Sequence, residues 1–133
     1  MIFIDTGAFL ARYIERDQYH NAATKHWHTL RNDRRRCFTS NFVLDETFTL
    51  LARRSTYRFA AERARNLLQS TSLSILRPDA DCEAAALELF EAFADQSVSF
   101  TDCVSFVLME KHTIKCAFSF DRHFAIAGFE LEP

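Results

Sequence analysis

The chain has 133 residues, enough for a domain that buries roughly two thirds of the surface of its unfolded form, and 48% of it is apolar, including fourteen Phe. This composition excludes a disordered chain, and with only two Gly and two Pro no linker or low-complexity tract divides it, so residues 1–133 are expected to form a single domain. A formal net charge of −2 excludes a protein uniformly dominated by one sign of charge.

The opening "MIFI" is brief, apolar and β-rich, which predicts a buried strand ending at Asp5. It has neither a basic start nor a long apolar run, so a signal peptide and a membrane span are not expected and a cytoplasmic location is. Helical spacing follows through about Tyr13 and again across "NAATKHWHTL". "CFTS" predicts a second strand running into a helix from about Phe42 to Arg53, and another helix spans about Tyr57 to Gln69. "SLSIL" reads as a third strand, and an amphipathic helix begins near Asp79, just after Pro78. "SFTDCVSF" at 99–106 opens a buried helix, "KCAFSF" predicts a fourth strand running up to Asp121, and "FELE" a last strand. Strands separated by helices imply a parallel sheet covered on both faces, an α/β sandwich. Such sheets bind ligands at the carboxyl ends of their strands.

The four cysteines, Cys37, Cys82, Cys103 and Cys116, are scattered without a CxxC pair, which fits reduced, buried thiols better than a disulfide framework or a zinc site. His26 and His28 are two apart on a helix and point away from each other, against a histidine metal pair. Charge is lopsided along the chain. Residues 31–77 hold ten Arg against four acids, whereas residues 78–133 hold three Lys and Arg against eleven. "RNDRRR" at 31–36, with Arg53, Arg54, Arg58, Arg63 and Arg65, could be solvated helix surface or a face that holds a polyanion.

Four acids fall into one pattern. Asp5 follows the first strand and Asp121 the fourth, while Glu46 lies in the first turns of the helix after the second strand and Asp102 in the opening turn at 99–106. Each has a local explanation, Asp5 and Asp121 as caps, Glu46 as a dipole-compatible residue, Asp102 as partner of Ser99 in a capping box. Those explanations do not account for their joint position on one edge of the sheet. Two like charges about 4 Å apart repel by roughly 4 kcal/mol at an effective dielectric of 20, so a convergent cluster calls for a cation. All-oxygen ligands favour Mg²⁺ or Mn²⁺, which accept phosphate oxygens and lower the pKa of water. With a basic surface nearby, the expectation is metal-dependent phosphoryl transfer on a nucleic acid.

"FIDTGAFLA", "VLDETFTLLARR" at 43–54, "DQSVSFTDCVSFVLME" at 95–110 and "AFSFDRHFAIAGFELEP" to the end resemble the successive motifs of the PIN-domain ribonucleases, particularly single-domain toxins of the VapC type. The resemblance spans essentially the whole chain. It implies a PIN-like three-layer α/β/α sandwich with a mainly parallel central sheet. It also implies a Mg²⁺- or Mn²⁺-dependent endoribonuclease whose acidic site matches Asp5, Glu46, Asp102 and Asp121, cutting RNA to leave a 5′-phosphate and a 3′-hydroxyl. Asp5 and Asp102 would be the main metal ligands, Glu46 a direct or water-mediated one, and Asp121 would complete the cluster. Ser119, where many relatives have Thr, would orient Asp121 or a water, and Thr6 would support Asp5. Asp45 would face solvent or stand behind the ligands. A homodimer and a small antitoxin that blocks the site are further implications.

Arg53, Arg54 and Arg58 are candidate RNA-backbone contacts. His123 is expected to be a surface histidine capping its turn, and the Phe42/Phe48 and Phe90/Phe93 stripes to be packing rather than base-stacking platforms. A haloacid-dehalogenase-like phosphatase would need a second Asp where this chain has Gly7, and a response-regulator-like switch would need a late-strand Lys for which Lys115 is a poor match. A non-catalytic RNA-binding or scaffold domain of the same fold, and an RNA-processing nuclease without a toxin role, stay open as alternatives.

Overall fold

The structure is a computed structural model that describes residues 1–133. Its elements run β1 (Ile2–Ile4), α1 (Thr6–Tyr13), α2 (His20–Asn32), β2 (Cys37–Ser40), α3 (Asn41–Arg54), α4 (Tyr57–Gln69), β3 (Leu73–Leu76) and α5 (Ala80–Ala92). A 3-10 turn at Ala94–Gln96 then leads to α6 (Phe100–Lys111), β4 (Cys116–Phe118), α7 (His123–Ile126) and β5 (Glu130–Glu132). The strands form one five-stranded sheet in the order β3-β2-β1-β4-β5. Every neighbouring pair is parallel. Right-handed crossovers therefore put α1–α4 on one face and α5–α7 on the other. This is the expected PIN-like α/β/α sandwich.

The helix starts are written in the residues that precede them. Ser40, Thr56, Asp79 and Ser99 are extended residues whose side chains accept the N–H of Val43, Phe59, Cys82 and Asp102. Each satisfies one of the donors that a helix start leaves free. Because Ser40 is both the last residue of β2 and the cap of α3, no loop intervenes there, and Glu46 is carried to a set height above the sheet edge. The core is aromatic and aliphatic: Phe3 and Phe118 on central strands, Phe9 on α1 and Phe124 on α7 are fully buried. Phe106 of α6 packs edge-on against Phe124 and beside Phe129. Phe42 and Phe90 both meet Phe100, and Phe93 meets Phe106, with Phe90 still exposed.

One boundary differs from the sequence expectation. "KCAFSF" does not continue as strand to Phe120, since β4 ends at Phe118 and Asp121 stands on the turn beyond it. The reason is local chemistry. Ser119 still donates its N–H to Glu132, but its hydroxyl turns inward to Asp5 and accepts the N–H of Asp121, which bends the chain out of the sheet.

A candidate metal centre at the carboxyl edge of the sheet

The chain winds outward from β1 through β2 to β3 and then crosses back to β4, so strand order reverses between β1 and β4. At such a switch point the connections leave in opposite directions and open a crevice at the carboxyl ends of the strands. A pocket of about 640 Å³ occupies that place, and Asp5, Glu46, Asp102 and Asp121 all line it. The convergence suggested by the sequence pattern is therefore present in the folded chain.

Asp5 holds the N-cap position of α1 but makes no side-chain capping bond. Its Oδ2 instead accepts the Ser119 hydroxyl at 2.7 Å. Its own N–H donates to the Phe118 carbonyl, so the backbone of β4 fixes where that carboxylate stands. Ser119 thus orients Asp5 with its hydroxyl hydrogen and the turn bearing Asp121 with its lone pair. The Thr6 hydroxyl is buried and has no partner, while its N–H, after the Ser119 hydroxyl, helps to favour the charged form of Asp5.

Asp102 is at once a residue of a capped first turn and a carboxylate of the pocket. The Ser99 hydroxyl accepts its N–H at 3.0 Å, as a cap does, and contacts from Ser99 help to hold its carboxyl charged. That carboxylate nonetheless lines the pocket, and burial first, then the charges of Asp121 and Glu46, pushes it up to about 6. Burial first, then the charge of Asp102, pushes the Asp5 carboxyl up to about 7. Desolvation and like-charge proximity both disfavour a carboxylate, and here they act together. A divalent cation would reverse both.

His123 is more engaged than a surface cap. It is half-buried, its N–H caps onto Asp121 Oδ1, and its ring Nδ1 lies 2.9 Å from Asp121 and 3.8 Å from Asp102. Asp102, Asp121 and His123 form the tightest group in the pocket, with ligand atoms all within 4.8 Å of one another, while Asp5 and Glu46 stand around the same opening. The sequence signal for His123 was its place two residues after Asp121, the spacing at which an Asp side chain closes a turn on a backbone N–H.

Arg54 and Arg122 line the same pocket, as do Asp17 and the rim pair Tyr19 and Phe120, stacked with ring centroids 4.3 Å apart. Of the three arginines singled out from the sequence, only Arg54 is at this pocket; Arg53 and Arg58 are exposed elsewhere on α3 and α4. Asp45 and Asp95 are exposed and take no part in the pocket lining. Asp17 and Tyr19 lie on the α1–α2 connection, where no periodic pattern points to them.

The residues fit a hard divalent cation. Carboxylate oxygens dominate the donor set, Thr6 lines the pocket with its hydroxyl buried and unpartnered, and two of the carboxyls carry an electrostatic cost that a cation removes.

A family model described as PIN domain matches residues 2–130. The chain is 37% identical over its whole length, and over 99% of the relative, to a protein of Mycobacterium tuberculosis named 23S rRNA-specific endonuclease VapC20. It is 32% identical to a protein of Archaeoglobus fulgidus named VapC ribonuclease, over 92% of this chain and 78% of that one. The crystal structure of VapC20, described as a sarcin-ricin loop cleaving toxin, superposes with a TM-score of 0.91 at 35% identity, covering all of both chains. VapBC2 of Rickettsia felis bound to a promoter DNA fragment matches with a TM-score of 0.72 at 14% identity, covering 99% and 98% of the two chains, a likeness of fold.

Proposed function

The chain belongs to the PIN-domain family, and we propose that within it this protein is a divalent-metal-dependent endoribonuclease, the toxin of a toxin-antitoxin pair. The observation that carries the proposal is the acidic pocket at the β1/β4 switch point, where four carboxylates meet beside an unpartnered buried hydroxyl. Full-length similarity to an rRNA-specific endonuclease supports RNA as the substrate, with the sarcin-ricin hairpin of large-subunit rRNA as the first one to test. A small antitoxin that covers the acidic pocket and a homodimeric assembly belong to the same proposal.

Asp5, Asp102 and Asp121 would hold the ion, Mg²⁺ or Mn²⁺, with Glu46 reaching it directly or through a water. The bound ion would supply Lewis-acid charge that lowers the pKa of a water and offsets charge on the phosphodiester. The protein does the rest by position. Ser119 keeps Asp5 turned into the pocket through its 2.7 Å bond. His123, its Nδ1 against Asp121, would steady that carboxylate and present its other ring nitrogen to substrate. Arg54 and Arg122 on the pocket wall would hold the RNA phosphates against a site that is otherwise negative.

The test is cleavage of an end-labelled sarcin-ricin hairpin, and of total cellular RNA, with Mn²⁺ or Mg²⁺, with EDTA, and with Asp102→Asn. Cuts that need the cation and vanish in a folded Asp102→Asn variant are the expected result. Cutting that persists unchanged in EDTA or in that variant would overturn the assignment.

A further inference from the structure

A second cleft, of about 900 Å³, opens on the face covered by α1–α4, in the gap between α2 and α4. Its floor is α1 and the first residues of β2 and β3. Six arginines and two histidines line it, without a single Asp or Glu. The acidic pocket, by contrast, has five carboxylates against two arginines. The "RNDRRR" run supplies most of the cleft's charge, as Arg31, Arg34, Arg35 and Arg36, and distant Arg12 and Arg63 join it.

Most of this charge is uncompensated. Arg35 pairs with Glu132 at 3.0 Å and Arg63 lies 3.8 Å from Glu62, but Arg12, Arg31, Arg34 and Arg36 make no ion pair. Two of these four are held ready by aromatic rings: Arg12 lies 4.8 Å from the centroid of Trp27, and Arg36 lies 5.5 Å from that of Phe38. A guanidinium stacked this way loses less freedom when it meets a phosphate. The opposite wall carries hydroxyls, with Ser70, Thr71, Ser72 and Ser74 on the approach to and along β3. Of the cleft's larger apolar residues, Phe9, Leu30 and Leu67 are buried in the core, and Tyr13, Trp27 and Leu73 are half-buried among the cations and hydroxyls. Forked cations beside hydroxyls, with no acidic side chain among them, suit a sugar-phosphate backbone.

Helix α1 is the partition between the two sites. Thr6, Gly7 and Leu10 line the acidic pocket and Phe9, Arg12 and Tyr13 line the basic cleft. An α-helix is about 10 Å across. An RNA strand leaving the acidic pocket therefore reaches the cleft by crossing one helix.

We infer that the cleft between α2 and α4 binds the phosphodiester backbone of the RNA substrate away from the bond that is cut. This rests on the endoribonuclease proposal for the acidic pocket. The cleft adds affinity and orientation, and takes no part in bond breaking.

The experiment measures binding of a fluorescein-labelled sarcin-ricin hairpin to the full chain by anisotropy, in the Asp102→Asn background, over a range of KCl concentrations. Arg31→Gln, Arg34→Gln and Arg36→Gln together should weaken binding about tenfold or more. They should also flatten the slope of log Kd against log[salt] by about 2, since each lost phosphate contact removes roughly 0.7 to 0.9. Arg65→Gln, Arg77→Gln and Lys115→Gln, three charges outside both lining sets, should change the slope far less. In the cleaving protein the cleft variant should raise KM and leave kcat unchanged. Affinity and slope equal to the parent's would overturn the inference, leaving an acidic protein segment as the cleft's occupant, even if cleavage by the parent stands. Equal losses in both triple variants would also overturn it, because the effect would then be net charge. An absence of cleavage by the parent, with the slope change intact, would instead sink the endoribonuclease reading and leave the cleft as an RNA-binding site.

Discussion

The acidic pocket and the basic cleft sit on opposite sides of α1 and are built on opposite physical terms. The acids hang from backbone that the sheet itself fixes: Asp5 bonded to β4, Asp102 in a capped first turn, Asp121 on a turn tied by Ser119. Asp5 and Asp102 are buried, and their pKa values show what that costs. The cleft's arginines project from helix surfaces and a connecting loop, three of the six exposed and none buried. Charge held at a fixed point in low dielectric performs chemistry, whereas charge spread over a solvated wall makes a field that gathers a polyanion. The acids therefore detract from stability where the arginines are nearly neutral.

The sharpest way to break that contrast is Asp5→Asn. It should lower RNA cleavage by 100-fold or more, the range that follows loss of a group at a reaction centre. The same variant should unfold at a higher temperature than the parent at pH 8 in EDTA, because keeping Asp5 ionised there costs on the order of 4 kcal/mol. Thermal melts at pH 8 check this, and a variant less stable than its parent would mean the carboxylate is not the burden described. The cleft triple variant should leave the melting temperature nearly unchanged.

A pH series sharpens the same point. The Asp5 and Asp102 carboxyls are raised from 3.8 to about 7 and about 6, so the folded protein keeps protons that the unfolded chain has already released. Without divalent cation, stability should fall as pH rises from about 4 to about 7 and level off above. Added Mn²⁺ should raise the melting temperature at pH 8 much more than at pH 5, since at pH 5 the ion must displace protons.

Ser119→Ala comes next. It should cost about 10- to 100-fold in cleavage or in Mn²⁺ affinity, as loss of a bond that orients a ligand does, with Ser119→Thr restoring most of it. Cleavage over a Mn²⁺ titration reads both. The smallest effect is expected at the rim, where Arg122→Gln should raise KM for RNA a few-fold and leave the cation dependence alone.

Much of this molecule can be read from local rules. "MIFI", "CFTS" and "SLSIL" are strands because short apolar, β-branched runs cannot be satisfied as surface helices, and Ser40, Thr56, Asp79 and Ser99 mark helix starts because their oxygens meet free N–H groups. The acidic quartet is legible for a related reason. In a parallel sheet the residue after each strand lies on one edge, so chain position alone implies convergence. The end of β4 was harder, since what stops it is the Ser119 hydroxyl reaching Asp5, a partner 114 residues away in sequence.

Chain-local periodicity and capping chemistry thus determined the elements, their order, the parallel sandwich and the edge on which the acids meet. Only the tertiary structure decided that His123 stands between Asp102 and Asp121, that the Thr6 hydroxyl is left without a partner, that Arg54 reaches the acidic pocket while Arg53 and Arg58 do not, and that Arg12 and Arg63 join "RNDRRR" around one cleft. The physical reason is range. Hydrogen-bonding and periodicity rules act over a few residues, whereas the direction in which a side chain points is set by which helix packs beside it, and α1, wedged between α2 and α3, gives one charged site to each of its sides.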